Sequence, residues 1–198
     1  MISDKLSRII VVFIIMADFA HAATRIIFGK MWLADAFLLI ANILWVTVYL
    51  SLHFYVKGQN DKYKVTTLFL IMSFIQVLTV LHISITDEIS TDVLLNIKGI
   101  MAFVLSVMQI LISIYLGIIL IRYKDIHIKK LGLAFLIQGL LFLVMFSFGK
   151  VIETKLLQTK NIVMMNNFMV VIVDIVEIFV AHYVYRVFKE RFDDDLSF

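Results

Sequence analysis

The sequence predicts an all-α integral membrane protein: one membrane domain of six mostly unbroken transmembrane helices, with both termini cytoplasmic. Three observations carry this. The 198 residues are 62% hydrophobic and only 17% charged, with a mean hydropathy of +1.00, so lipid rather than water must be the solvent for most of the surface. Six apolar stretches can be placed, at about 8–28, 32–55, 65–85, 97–121, 131–148 and 162–185. Each is close to the roughly 20 residues that carry a helix across a hydrocarbon core, and none alternates strictly in the manner of a barrel strand. Finally, the basic residues take sides. Alternate connections gather twelve Lys and Arg, among them Lys5, Arg8, Lys57, Lys124, Lys130 and Arg186, whereas Lys30, Lys98, Lys150, Lys155 and Lys160 fall on the other side. Such an excess marks the cytoplasmic face of an inner (plasma) membrane, and it accounts for the net charge of +3 without nucleic acid as a partner.

The first segment opens like a secretory signal, basic at Lys5 and Arg8, then apolar, then Ala20-His21-Ala22. Asp18 within the apolar run, and apolar character that resumes through Ile26 and Phe28, predict instead a helix retained in the chain. Asp18, His21 and Arg25 fall at i, i+3 and i+7, so an acid, a switchable base and a fixed cation share one narrow helical sector. Only Gly29-Lys30 separates this segment from the second, which predicts an antiparallel hairpin. On the second segment, Asp35, Asn42, Trp45, Tyr49 and His53 project to one side, while Trp32, Phe54 and Tyr55 sit at the ends, where an interfacial aromatic belt is expected.

A basic loop follows, and the third segment then places Thr66, Ser73, Gln76 and Ser84 on a common face. The connection after it is acidic, with Asp87, Glu88 and Asp92. Along the fourth segment, Gly99, Ala102, Ser106, Gln109, Ser113 and Gly117 recur at helical spacing; small residues so spaced let helix backbones approach closely, which predicts a helix at the centre of the bundle. The stretch 122–130 reads as a second basic loop. The fifth segment is the most apolar, with Gln138 its one strong polar group, and is expected to make the most lipid contact. The sixth carries Asn167, Asp174, Glu177 and Tyr185 on one stripe, and a charged tail, 186–198, ends in the run Asp193-Asp194-Asp195.

Asp18, Asn42, Gln76, Gln109, Asp174 and Glu177 all fall near the middle of their segments. An ionisable group at that depth costs about 2.5 to 3.5 kcal/mol on insertion scales, so three carboxylates there point to a pathway or a site. The expected site is an acidic, hydrated midplane in which Asp18, Asp174 and Glu177 carry charge, His21 and Arg25 tune them, and Asn42, Gln76 and Gln109 supply neutral ligands. The opposing reading makes the same polar groups interhelical hydrogen bonds that fix packing.

The absence of proline argues against helices unwound at a binding site, and the absence of cysteine excludes disulfides and thiolate metal sites. No Gly-x-Ser-x-Gly, His-Glu-x-x-His or Gly-rich phosphate loop occurs, and no helix repeats arginine in the manner of a voltage sensor, so enzymatic activity is not expected. Two histidine pairs, His21 with His82 and His53 with His182, could in principle hold stacked haems. His82 points away from the polar stripe of its segment and the first pair differs in depth, so no cofactor or metal is expected. The sequence thus points to a membrane protein that conducts or couples a cation, H⁺ foremost, as a homo-oligomer of small bundles. The alternative is a non-transporting sensor or anchor whose basic loops and acidic tail recruit a cytoplasmic protein, as in a bacterial signalling or antiviral defence complex.

Overall fold

A computed structural model describes the backbone of residues 4–28, 31–57, 65–85, 92–155 and 161–195, with side chains placed for 5–26, 33–57, 65–82, 99–147 and 168–189. The side chains of Trp32, Ser84, Asn167 and Asp193 to Asp195, the basic loop beyond Lys57, and Asp87 and Glu88 lie outside those described. The described chain is helical: α1 (Asp4–Ala23) continued by a π-helical turn (Thr24–Phe28), α2 (Met31–Lys57), α3 (Val65–Ile85), α4 (Asp92–Leu120), α5 (Ile126–Lys155) and α6 (Asn161–Asp195). Six of these helices are long and apolar enough to cross a membrane, as a polytopic membrane protein requires. Their outward faces are apolar: Phe13, Phe19, Phe74, Leu111 and Ile175 are all more than half exposed, a surface suited to hydrocarbon.

Several helices overrun the apolar stretches that mark them. Hydropathy delimits the part immersed in lipid, whereas the helix ends where its backbone is capped. Asp125 shows this. Its carboxylate accepts from the amides of His127 (2.7 Å) and Ile128 (3.2 Å), so the fifth helix starts at Ile126, inside the stretch expected to be loop. The first helix departs from an unbroken α-helix. Thr24 Oγ1 donates to the Ala20 carbonyl at 2.6 Å, at the point where the α-helical turn widens into the π turn. The wider turn takes Arg25 out of the α-helical phase that would stack it over Asp18 and His21.

Each helix packs on its neighbours in sequence, and α6 returns to pack on α1, so the six form a closed ring. No helix occupies the centre, α4 included. Its closest approach is to one neighbour, α5: a Cβ added at Gly117 would lie 2.6 Å from the Leu136 amide nitrogen, and one at Gly139 of α5 would lie 2.5 Å from Ile114 Cγ1. Nor is α5 given over to lipid, since Leu131, Ala134, Phe135 and Gln138 are buried. A helix that is apolar all round does not announce which face turns inward.

The interior of the ring differs between its two halves. Nearly all the largest fully buried side chains, including Ile14, Tyr49, Leu52, Phe69, Leu116, Leu131, Phe135 and Phe188, belong to the half whose rim carries Lys57, Arg122, Lys130 and Arg186. Tyr49, Phe69 and Phe135, from α2, α3 and α5, form a triangle of rings with centroids 6.3 to 6.4 Å apart, and Trp45 stacks on Tyr49 at 5.2 Å. The basic half is therefore solid. In the opposite half most of the buried side chains are small or polar, among them Ala17, Asp18, His21, Thr24, Ala34, Ala41, Asn42 and Asp174, with Ile75, Leu105 and Val176 the larger apolar ones.

Close approach at the α4–α5 glycines should be measurable. Gly117→Ala gains helix propensity of about 1 kcal/mol, yet it must push α4 from α5 at an overpacking cost of about 1 to 3 kcal/mol. Thermal unfolding in detergent should therefore show no gain or a loss for Gly117→Ala, whereas Gly99→Ala, with nothing within 4 Å of the added carbon, should be neutral or stabilising.

Candidate functional site

The polar half of the ring is organised by the contact between its first and last helices. On α1, Asp18 and His21 are three residues apart; on α6, Asp174 and Glu177 are likewise three apart. The two helices run antiparallel, so one register serves both pairs. His21 faces Asp174, and one turn nearer the basic half Asp18 comes opposite Glu177. The first pairing is direct: His21 Nδ1 donates to both carboxylate oxygens of Asp174, at 3.0 and 2.9 Å, with the two residues only 2% and 1% exposed. The second is a meeting of like groups. Asp18 is 1% exposed, feels the charges of Glu177 and Asp174, and leaves its Oδ2 without a hydrogen-bond partner among the described residues. His21 Nε2 is similarly buried and unpartnered.

Glu177 also faces an open cavity of about 380 Å³ lined by residues of α2 to α6. The polar part of its lining is Asn42, Thr79, Ser106, Gln109 and Glu177; Leu38, Ile110, Phe142, Met145, Phe146 and Val173 complete it. Since a water molecule has a share of about 30 Å³ in the liquid, there is room here for several. The donors on this wall are partly spent. Asn42 Nδ2 donates to the Leu38 carbonyl at 2.7 Å, and Thr79 Oγ1 donates to the Ile75 carbonyl at 3.0 Å. What Asn42 and Thr79 then present is oxygen lone pairs, and with the Glu177 carboxylate the wall is rich in acceptors. Such a surface suits a hard cation or a proton donor and repels an anion. Tyr49, from the aromatic triangle, lies within electrostatic reach of Glu177, on the basic side of the polar region.

The residues expected to form one midplane site fall into three groups. Asn42, Gln109 and Glu177 line the cavity. Asp18, His21 and Asp174 form the adjoining α1–α6 interface. Arg25 and Gln76 join neither. Arg25 makes no ion pair with the carboxylates among the described residues, and its buried Nε has no partner; Gln76 is buried without lining the cavity. Ser73 behaves as interhelical glue, donating to the Val46 carbonyl of α2 at 3.3 Å.

Thr79 and the α5 wall of Phe142, Met145 and Phe146 were not singled out from sequence. Thr79 is an ordinary polar residue late in its span, and three apolar residues on an apolar helix carry no signal. Among the histidines, His53 donates Nδ1 to the Thr66 carbonyl at 2.8 Å, which ties α2 to α3, and His182 is exposed.

A double-mutant cycle on His21→Asn and Asp174→Asn tests the interface. A hydrogen bond to a charged group is worth about 1.5 to 3 kcal/mol. Reversible unfolding in mixed micelles should return a coupling energy in that range, and a coupling near zero would show that the two side chains do not meet.

No protein-family model, curated protein or solved structure matches the chain, so the chemistry of this site must be read from its own residues.

Proposed function

We propose that the chain is a membrane protein that couples the movement of a small cation, H⁺ foremost, to the state of its acidic α1–α6 interface. The observation that carries this reading is the acceptor-lined cavity ending on Glu177. A cation or hydronium entering the polar half meets oxygen atoms and then the Glu177 carboxylate. Asp18 lies opposite as a second acceptor, so a proton or cation that reaches Glu177 finds another carboxylate across the same interface. One turn further, Asp174 and His21 provide an acid–base pair with which that proton can exchange. The buried aromatic triangle fills the interior toward the basic end, which favours stepwise transfer over an open pore.

The test is ion flux into proteoliposomes under a pH gradient and under voltage, with protons and monovalent cations assayed separately. Wild-type flux that Glu177→Gln and Asp18→Asn each reduce by about tenfold or more, in protein of unchanged helicity, is the expected result. Absence of flux in well-folded wild type would sink the proposal. A gate made of aromatic rings predicts in addition that Phe135→Ala raises the flux.

One observation favours the alternative, a non-transporting sensor that recruits a partner. A single helix, α6, bears Asp174 and Glu177 and continues without interruption to Asp195, so any displacement at the site is carried to the charged end of the chain. Truncation after Arg191 separates the two readings: a conductor keeps its flux, whereas a recruiter loses its partner.

A further inference from the structure

At the basic end of the bundle, between the start of α5 and the end of α6, lies a second cavity of about 250 Å³, lined by His127, Lys130, His182, Tyr183 and Arg186. Among the described residues its lining is four basic side chains and a phenol, without a carboxylate. Neither Lys130 nor Arg186 forms an ion pair among the described residues. The helix start itself is already satisfied, because Asp125 accepts from the amides of His127 and Ile128, so an occupant must be recognised by the side chains. A planar guanidinium, an ammonium and two imidazoles around one small space make a receptor for a phosphate group.

What lies next to the cavity indicates the source of that phosphate. One turn into the span from Lys130 is Leu133, 50% exposed, and on the same face of α6 as Tyr183 and Arg186 is Phe179, 38% exposed, with its ring 5.0 Å from that of Tyr183. Cations at the rim and an open apolar track running away from them match a phospholipid, with its headgroup among the bases and its acyl chain along Leu133 and Phe179.

We infer that the α5–α6 cavity is a binding site for the headgroup of an anionic phospholipid, read by Lys130 and Arg186 with His127, His182 and Tyr183. The site is separate from the acidic interface and does not depend on what that interface does.

The full-length protein in detergent, with dioleoylphosphatidylglycerol or dioleoylphosphatidylcholine added, can be examined by native mass spectrometry for retained lipid. The anionic lipid should be retained in preference to the zwitterionic one, and Lys130→Gln/Arg186→Gln should weaken its retention by about tenfold, as expected when two charge-assisted contacts are lost. Lys130→Arg/Arg186→Lys should restore it, which shows that charge rather than folding is at issue. Three results would each overturn the inference: equal retention of both lipids, an equal loss with the control Lys57→Gln/Lys124→Gln, whose charges lie outside the cavity, or displacement of the lipid by inorganic phosphate at millimolar concentration. The last would identify a free-phosphate site.

Discussion

The hydrogen bond between His21 and Asp174 joins the first helix to the last, and the closed ring depends on that joint. The other contacts of the ring are between helices adjacent in sequence, which antiparallel connection brings together in any case. The α1–α6 contact has no such help. It is formed between elements at opposite ends of the chain and must be specified by its own side chains. Apolar packing supplies part of this through Val11, Ile14, Val180, Ala181 and Val184, but in hydrocarbon apolar faces have little preference for one another over lipid. A buried acid and base with one geometric solution do have such a preference, so the pair fixes both the neighbour and its register. Once the register is set, Asp18 and Glu177 are brought face to face whether or not that contact is favourable.

Division of the ring into a solid and a hollow half follows from where bulk is placed. Large aromatic and aliphatic side chains fill the basic half to close packing, and the Tyr49, Phe69 and Phe135 rings reach across it from three different helices. Stability and function are thereby separated along the axis of the bundle. Dense packing supplies most of the apolar contact between the helices, while the polar half, tied by His21 and Asp174, still carries unpartnered groups such as Asp18 Oδ2 and His21 Nε2. Unsatisfied buried polar atoms are uncommon in proteins, and Asp18 Oδ2 and His21 Nε2 leave two of them on one face of α1.

Much of this was legible in the sequence, for physical reasons that differ by residue. The six spans could be read because each is a run of apolar residues of the length a bilayer demands. Asp18, Asp174 and Glu177 stood out because carboxylates are costly in such runs, and Asn42 with Gln109 because each lies near the middle of its segment on a polar or small-residue face. What could not be read was partnership. Nothing in DFAHAATR indicates that His21 turns to a residue more than 150 positions away, and periodicity alone put Arg25 in its sector, where the turn begun at Thr24 does not leave it. Gln76 has the composition of a site residue and the location of a packing residue. The small-residue face of α4 was recognised as an interface, but whether it faces one helix or many depends on the ring, and that topology is not a property of α4. Asp125 was legible in principle as a helix cap, and a basic local composition hid it.

Closing the ring with its last helix has a consequence for biosynthesis. A ribosome delivers α1 before α6, so Asp18 and His21 are made long before Asp174 and Glu177 exist. During that interval the polar face of α1 has no native partner, and four more helices must be inserted around it. Until α6 has been made, Asp18 and His21 have no native acid to face, so the acidic interface can form only after the intervening helices exist.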